Sequence, residues 1–369
     1  MIRLFDLGVS ETLQERLEAT VLDTLRAGQF ILGERVARFE AEFAAYTNAP
    51  YAVGVGSGTD ALVLALRALG VGPGDEVVVP ALSFYASAEA VLLVGAEPVL
   101  VDIDPRTLNL SVTAAEAAIT AKTKAIMPVH LYGLPADMNA VADLAAAHGL
   151  RVIEDAAQAV GATLDARPLG ALSDACCYSF YPTKNLGAAG DGGLVTTPHR
   201  EVAEQLRLLR AHGTTRPYYH ELVGYTSRLD ALQAAVLSVK LPCLDAWTAR
   251  RRELAAHYDG LLADLPVTRP EHAGSVYHLY VVRTPERDRV MAQLNEAGVE
   301  ARAYYPYALP DLPPLRGKEH GTCEGARAAA RELLALPLHP NLRDEDVETV
   351  VTTLARALRV PTARVLTGH

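Results

Sequence analysis

Residues 179–187 read Ser-Phe-Tyr-Pro-Thr-Lys-Asn-Leu-Gly and begin where a short apolar run ends, a pattern typical of a loop after a buried strand. The lysine in this loop, Lys184, is one of five in the chain, whereas arginine occurs 29 times (34 basic residues less five lysines). Arginine stays protonated, but lysine can become a neutral amine nucleophile. In this uncharged, glycine-flanked loop, Lys184 is therefore predicted to be a desolvated amine suited to forming a Schiff base with an aldehyde.

The sequence around this loop alternates short apolar runs with helical patterns from about residue 50 to residue 200. Seven strands are predicted, at 51–55, 76–79, 99–103, 125–129, 152–154, 177–180 and 193–196. Strands that alternate with helices are typical of βαβ units, so we expect an α/β fold with a mainly parallel sheet. Ligands of such sheets bind outside the carboxyl ends of the strands.

The pattern becomes more helical after residue 200. A helix is predicted at 201–212, and a long helical stretch at 230–261. A smaller α+β unit follows, with a strand at 277–282 and helices at 287–297, 324–334 and 344–358. We therefore expect a large cofactor-binding domain at 1–245, which includes an N-terminal helix. A small C-terminal α+β domain is expected at 246–369.

A second strand end carries an acidic residue in an apolar run. Asp155 lies in Val-Ile-Glu-Asp-Ala-Ala-Gln, residues 152–158, and a buried carboxylate needs a cation or good hydrogen bonds. One suitable cation is the protonated ring nitrogen of pyridoxal phosphate, which an acidic residue keeps charged. Capping of the next helix is an equally good interpretation from these residues alone.

A third strand end is rich in small residues. Residues 54–62 read Gly-Val-Gly-Ser-Gly-Thr-Asp-Ala-Leu, and the free N–H groups at a helix start favour a phosphate. The segment completes neither a Walker loop nor a GxGxxG motif, and a simple helix cap explains it at least as well. Taken together, however, a phosphate cradle, a buried carboxylate and an isolated lysine are the parts that a pyridoxal phosphate enzyme requires.

The composition excludes several other classes of protein. The formal net charge of −10 argues against sequence-independent nucleic-acid binding, and no apolar run is long enough to span a bilayer. The four cysteines show no CxxC spacing, so neither a zinc site nor a disulfide framework is indicated. His130 is expected to be a hydrogen-bonded structural histidine. We expect a cytoplasmic protein that binds no metal, nucleic acid or membrane.

The segments described above resemble the fold-type I pyridoxal phosphate enzymes and, more narrowly, the sugar aminotransferases of the DegT/DnrJ/StrS family. The resemblance covers nearly the whole chain and is carried by residues 28–33, 57–62, 128–133, 154–158, 179–187, 228–235 and 336–340. It implies a three-layer large domain like that of aspartate aminotransferase, pyridoxal 5'-phosphate as cofactor, and a homodimer with shared active sites.

The resemblance also implies a role for each matching residue. Lys184 would hold the cofactor as a Schiff base and move the substrate proton, while Asp155 would pair with the pyridine nitrogen. Further cofactor contacts are implied for Gly58, Thr59, Phe84, Gln158 and Ser179. Arg228 and Tyr305 would reach the neighbouring subunit's site and contact the sugar nucleotide.

Two positions depart from the family pattern. The family commonly has Asn, in contact with the neighbour's cofactor phosphate, where this chain has Thr226, whose hydroxyl can donate one hydrogen bond over a shorter reach. Many relatives have His where this chain has Tyr304, a position that would contact the substrate. Some members replace the lysine by histidine and become dehydratases, so the presence of Lys184 favours transamination.

The resemblance implies an aminotransferase that moves an amino group from L-glutamate to a keto sugar of a nucleoside diphosphate, for surface-polysaccharide or amino-sugar biosynthesis. Residues 224–230 favour a 3-keto over a 4-keto substrate. Two alternatives stay open: a fold-type I aminotransferase for a cyclitol or an amino acid, and a catalytically silent regulator on the same scaffold.

Overall fold

The computed structural model describes residues 1–360. The strands are β1 (Tyr51–Val55), β2 (Glu76–Pro80), β3 (Glu97–Val101), β4 (Thr123–Ile126), β5 (Arg151–Asp155), β6 (Thr163–Leu164), β7 (Arg167–Pro168), β8 (Ala175–Ser179), β9 (Gly193–Thr197), β10 (Thr214–Arg216), β11 (Tyr219–His220), β12 (Tyr280–Arg283) and β13 (Leu333–Leu336). Most of them lie in the first two hundred residues, as the alternating pattern predicts.

The helices are α1 (Glu11–Ala27), α2 (Glu34–Tyr46), α3 (Gly58–Ala68), α4 (Ala86–Leu93), α5 (Val112–Ala117), α6 (Met138–His148), α7 (Arg200–Leu209), α8 (Ala231–Lys240), α9 (Leu244–Leu261), α10 (Arg287–Glu296), α11 (Glu324–Glu332) and α12 (Asp344–Ala357). Their ends follow the expected chemistry. Ser111 caps α5 by accepting a hydrogen bond from the Ala114 amide at 3.3 Å, and Gly149 ends α6 in the left-handed conformation.

Seven strands form the central sheet in the order β1-β9-β8-β5-β4-β2-β3. Strands β3, β2, β4, β5 and β8 are mutually parallel, whereas β9 runs antiparallel to both β8 and β1. The predicted α/β class with a mainly parallel sheet is confirmed. Because β1 is therefore parallel to β8, the carboxyl ends of β1, β2, β5 and β8 meet at one edge of the sheet.

Helices cover both faces of this sheet, which explains its continuous valine runs. In β2, Val77 and Val79 pack into the core that contains α3 and α7, while Val78 packs into the opposite core with α5 and α6. Successive side chains of a strand point to opposite faces, so three consecutive valines serve two cores. The sheet is the middle of three layers.

A second antiparallel pair, β12 and β13, lies outside the central sheet, with Tyr280 opposite Leu336. Its own hydrophobic core joins α9, α10 and α12, and includes the stacked rings of Tyr258 and Tyr280 at 4.7 Å. The domain boundary at residues 245 and 246 stays a prediction, and residues 361–369 of the predicted domain lie outside the described residues.

Several predicted elements have different bounds in the structure, and three of these differences have a clear physical cause. The predicted strand 125–129 ends at Ile126, since Pro128 has no N–H for the ladder, and Val129 rejoins only through a single bridge to Asp155. The helical stretch 230–261 is two helices, because a 3₁₀ turn that contains Pro242 separates α8 from α9. The predicted helix 324–334 ends at Glu332, where the chain turns into β13.

Two structural features are absent from the described residues. No helix within residues 1–360 is long and apolar enough to cross a membrane. In the same part of the chain, no group of three or more His, Cys, Asp or Glu side chains is arranged to hold a metal ion.

Candidate active site

The loop between β1 and α3 forms a cradle of backbone amides. Ser57 caps α3 by accepting a hydrogen bond from the Asp60 amide at 3.1 Å, which leaves the N–H groups of Gly58 and Thr59 without partners inside the helix. A Cβ at Gly58 would lie 2.6 Å from the Cβ of Ser179, at the end of β8. The structure thus brings Gly58, Thr59 and Ser179 together, and only glycine permits that approach.

Asp155 lies at the end of β5 and is 5% exposed. Its Oδ2 accepts a hydrogen bond of 2.7 Å from the Ser87 hydroxyl, and its Oδ1 accepts one of 3.1 Å from the Ala157 amide. No Lys, Arg or His nitrogen of the described chain lies within ion-pair distance of this carboxylate. Asp155 is therefore a hydrogen-bonded buried carboxylate that can take a cationic ligand.

Lys184 lies in the loop after β8, on a tight turn in which its amide donates to the Tyr181 carbonyl at 2.8 Å. The side-chain amide of Asn185 fixes the loop by donating to the Val276 carbonyl at 2.8 Å. The loop is also tightly packed, because a Cβ at Gly187 would lie 2.2 Å from the Pro182 carbonyl oxygen. Burial lowers the pKa of Lys184 to about 8, against the opposing effect of the Asp155 carboxylate. Burial in this loop thus favours the neutral form of the Lys184 amine.

Gln158 and Phe84 lie at the same sheet edge. The Gln158 side-chain oxygen accepts from the Tyr132 amide at 2.7 Å, and its nitrogen donates to the Tyr305 hydroxyl at 3.0 Å. Phe84 follows β2 and is 55% exposed, with its ring centroid 5.8 Å from that of Tyr305. An aromatic face is thus open to a ligand beside the buried carboxylate.

Tyr305, which the resemblance assigns to the neighbouring subunit's site, contacts a residue of its own chain in this structure. Its hydroxyl binds Gln158 of its own chain, and burial raises the pKa of that hydroxyl well above its usual value. The segment is fixed because the Tyr132 hydroxyl donates to the Tyr304 carbonyl. Tyr304 packs edge-on against the rings of Phe5 and Tyr305, at 6.3 and 5.6 Å.

Thr226 and Arg228 lie on either side of Ser227, whose hydroxyl is hydrogen-bonded to the loop and helix that form the cradle. The Ser227 hydroxyl donates to Asp60 at 2.8 Å and accepts from the Gly56 amide at 3.1 Å. The Thr226 hydroxyl contacts the ring of His212 at 2.9 Å, and Arg228 has no ion-pair partner within residues 1–360. The structure does not bring these two side chains into contact with Lys184 or Asp155 of the same chain.

Sequence reasoning missed Ser87, Tyr132 and Ser227. The strand-end rule could have found Ser87, which follows β2 at the edge where Asp155 lies. Tyr132 acts through its amide and a long-range hydroxyl contact, and Ser227 through a partner 167 residues away, so no local pattern marks them. The structural interpretation of His130 is confirmed: its ring donates to buried Glu154 at 2.8 Å and accepts from the Ala136 amide at 3.0 Å.

The sequence profile of the DegT/DnrJ/EryC1/StrS aminotransferase family matches residues 11–355. The chain belongs to this family. Pyridoxal phosphate is the cofactor of this family, and solved neighbours are described in their pyridoxal and pyridoxamine phosphate forms.

Individual relatives differ in their names. The chain is 48% identical to a "pleiotropic regulatory protein" of Geobacillus stearothermophilus, over 95% of this chain and 96% of that protein. It is 46% identical to a "UDP-N-acetyl-3-dehydro-alpha-D-glucosamine 3-aminotransferase" of Acidithiobacillus ferrooxidans, over 89% of this chain and 90% of that protein. The crystal structure of DesV from S. venezuelae, with a ketimine intermediate, is 43% identical, has a TM-score of 0.95, and covers 98% of this chain and 99% of its own.

Proposed function

We propose that the protein is a pyridoxal phosphate-dependent aminotransferase that moves an amino group from L-glutamate to the ketone of a nucleotide-linked sugar. The observation that carries this proposal is the meeting of three groups at one sheet edge: the amine of Lys184, the buried carboxylate of Asp155, and the amides of Gly58 and Thr59. An amine, a carboxylate and an anion cradle are what a phosphorylated pyridine aldehyde requires of a protein. The residues present therefore fit the cofactor.

Each residue has a distinct task in this proposal. Gly58, Thr59 and Ser179 hold the phosphate, Asp155 pairs with the protonated ring nitrogen, and Phe84 and Gln158 contact the ring. When bound, the cofactor supplies an electron sink for the carbon that loses its proton. The Nζ atom of Lys184 takes and returns that proton, and its pKa of about 8 leaves part of the amine neutral near neutral pH.

A second group of residues binds the sugar nucleotide in this proposal. Arg228 offers a guanidinium that no carboxylate of residues 1–360 neutralises, which suits the diphosphate of a substrate. Thr226 and Arg228 are anchored through Ser227 on the outer side of the cradle, so they serve the site of a second subunit in a homodimer. Tyr304 and Tyr305 contact the substrate from the chain that supplies Lys184.

A visible absorbance spectrum tests the cofactor and the donor together. The purified protein should show the visible band of lysine-bound pyridoxal phosphate, and L-glutamate should abolish it. The variant Lys184→Ala should lack the band, whereas Lys122→Ala, a lysine far along the chain from the site loop, should keep it. A band that L-glutamate does not change would overturn the donor and leave the cofactor.

The acceptor is a 3-keto sugar in this proposal, linked to a nucleoside diphosphate and used in the cytoplasm for surface-polysaccharide or amino-sugar biosynthesis. The name of the Acidithiobacillus relative supports the position of the ketone. UDP- and dTDP-linked 3-keto and 4-keto sugars should be offered to the glutamate-treated protein. Return of the visible band with a 4-keto sugar alone would overturn the 3-keto assignment.

The name of the Geobacillus relative favours a second candidate, a regulatory protein on the same scaffold. The two candidates differ in cofactor turnover, since a regulator needs neither Lys184 nor the carboxylate of Asp155. A protein that takes up no added pyridoxal phosphate would favour the regulator. Repeated cycles between glutamate and a keto sugar would exclude it.

A further inference from the structure

A narrow cavity of about 60 Å3, large enough for a group the size of a carboxylate, is lined in part by the Lys184 loop. The N-terminal segment 5–9, the loop 182–187 and residues of helix α9 form its walls. Lys184, Lys240, Arg251 and His339 line it, and Asp6 is the one carboxylate among the described lining residues. Asp6 is exposed, and it accepts a hydrogen bond from the Gly8 amide at 2.8 Å.

Arg251 is the unusual member of this cavity. It is 5% exposed and has no carboxylate within ion-pair distance among residues 1–360, although an unpaired buried charge is costly. One nitrogen of its guanidinium donates to the carbonyls of Tyr277 and Leu338, at 3.1 and 2.9 Å, and its Nε has no hydrogen-bond partner. Backbone carbonyls alone thus use only part of its fork of donors.

Other buried polar atoms around the guanidinium also lack partners. They include Nδ1 of His339, which lines the cavity, and Nδ1 of His278, whose ring stacks on Phe5 at 6.0 Å. Lys240 adds a half-buried cation, with its Nζ donating to the Gly187 carbonyl at 2.7 Å. Native proteins satisfy nearly all buried polar groups, so buried nitrogens without partners beside a cavity indicate a polar ligand. The cations of Arg251, Lys240 and Lys184 around the same cavity favour an anionic one.

We propose that this cavity is a carboxylate-binding subsite and that Arg251 anchors the carboxylate. A planar guanidinium with free donors matches a carboxylate in shape and charge. Lys184 lies on the wall, so the molecule that carries this carboxylate is a reactant rather than a distant effector. This inference rests on the proposed function, which provides two sources: the amino donor, or a keto sugar oxidised to a uronic acid.

The test compares two neighbouring arginines of α9. Arg251→Lys removes the fork of donors, whereas Arg252→Lys changes an exposed arginine that also donates to a backbone carbonyl, that of Ser275. Calorimetry on the cofactor-loaded protein measures the Kd of 2-oxoglutarate, and separately that of UDP-glucuronate against UDP-glucose. We expect Arg251→Lys to weaken one carboxylate probe at least tenfold and Arg252→Lys to leave all probes unchanged.

The probes distinguish the sources of the carboxylate. Weaker 2-oxoglutarate binding alone assigns the subsite to the amino donor, and loss of a preference for UDP-glucuronate over UDP-glucose assigns it to a uronic sugar. Unchanged binding of both carboxylates would overturn the proposal. If the protein binds no pyridoxal phosphate, the proposed function fails, while the same titration of the unloaded chain still tests the subsite.

A second set of variants avoids the risk that Arg251→Lys disturbs folding. Leu7 is 57% exposed where segment 5–9 borders the cavity, so a charged residue can replace it without disturbing the core. Leu7→Glu should weaken carboxylate binding several-fold, Leu7→Lys should strengthen it, and Leu7→Gln should do neither. Equal Kd values for the Glu and Lys variants at low salt would also overturn the proposal.

Discussion

The Ser87 hydroxyl donates a hydrogen bond of 2.7 Å to Oδ2 of Asp155, and thereby joins helix α4 to the carboxyl end of β5. Ser87 is itself fully buried and lies 2.7 Å from the hydroxyl of Ser83. The carboxylate is therefore held in one orientation by two linked hydroxyl groups from the segment that follows β2. Its second oxygen accepts only a backbone amide, so the carboxylate keeps capacity for a cation.

Removal of this hydroxyl should weaken the carboxylate's hold on the cofactor. We expect Ser87→Ala to reduce pyridoxal phosphate affinity about tenfold and to cost about 1–2 kcal/mol in the free energy of unfolding, since a buried acceptor loses its donor. Cofactor titration followed by absorbance, with urea unfolding, measures both. Ser111→Ala is the control: it removes a helix cap and costs about 1 kcal/mol without changing cofactor affinity. Equal cofactor affinity in the two variants would contradict the role of Ser87.

The amide cradle should not tolerate a side chain at Gly58. A Cβ there would lie 2.6 Å from the Cβ of Ser179, so Gly58→Ala must push α3 and β8 apart. We expect cofactor affinity to fall by more than tenfold. Gly260→Ala, on helix α9 with nothing within 4 Å of its Cβ, should instead stabilise the protein by about 0.5–1 kcal/mol. The same titration and urea experiment compares them, and a cradle that accepts alanine with unchanged affinity would refute this prediction.

Lys184 and Asp155 could be predicted from the sequence because their chemistry conflicts with their surroundings. A lysine in an uncharged loop and a carboxylate at the end of an apolar strand both need an explanation within a few residues of sequence. The alternation of strands and helices then predicts a mainly parallel sheet, and the strand-end rule places both residues at one edge. Local chemistry alone singles out Lys184, whereas Asp155 is distinguished from a helix cap only by its combination with the lysine and the glycine-rich segment.

The parts that could not be predicted depend on contacts far apart in the chain. Tyr305 contacts Gln158 across 147 residues, and only the folded chain shows that this contact lies within one subunit. Strand β13 follows a helical pattern and is a strand because β12 pairs with it, as tertiary pairing overrides local propensity. The unpaired guanidinium of Arg251 has no sequence signal, since Arg250, Arg251 and Arg252 are adjacent and only one is buried.

The depressed pKa of Lys184 should make the stability of the cofactor-free protein depend on pH. The folded pKa of about 8 lies below the usual lysine value of 10.5, so the folded state binds fewer protons between these values. Stability should therefore rise as pH rises from about 8 to 10.5. Lys184→Met removes this burial penalty and should be more stable than wild type at pH 7 by about 1–2 kcal/mol, allowing for partial solvent exposure.

Urea unfolding of both cofactor-free proteins at pH 7, 9 and 10.5 measures this difference. The advantage of Lys184→Met should shrink steadily across that series as the wild-type amine loses its proton in both states. Lys122→Met is the matched control, because Lys122 is exposed. A constant difference between Lys184→Met and wild type would contradict a desolvated amine at this position.

Mixed dimers should separate residues that act in their own subunit from those that act across the interface. If Lys184 and Tyr305 serve one site, a mixture of Lys184→Ala and Tyr305→Phe chains contains no intact site, because each chain damages its own. If Arg228 serves the partner's site, mixing Lys184→Ala with Arg228→Ala chains puts both defects in one site and leaves the other intact. Random pairing should then restore about a quarter of the wild-type activity in the second mixture and none above the single variants in the first.

The measurement is the rate of amino transfer after the chains are unfolded together and refolded. Each variant refolded alone provides the baseline, and native mass spectrometry of the refolded mixture measures the fraction of mixed dimers. Recovery in the Tyr305 mixture would return Tyr305 to the partner's site and contradict its contact with Gln158. No recovery in the Arg228 mixture, with exchange demonstrated, would place Arg228 in its own subunit's site or outside the site altogether.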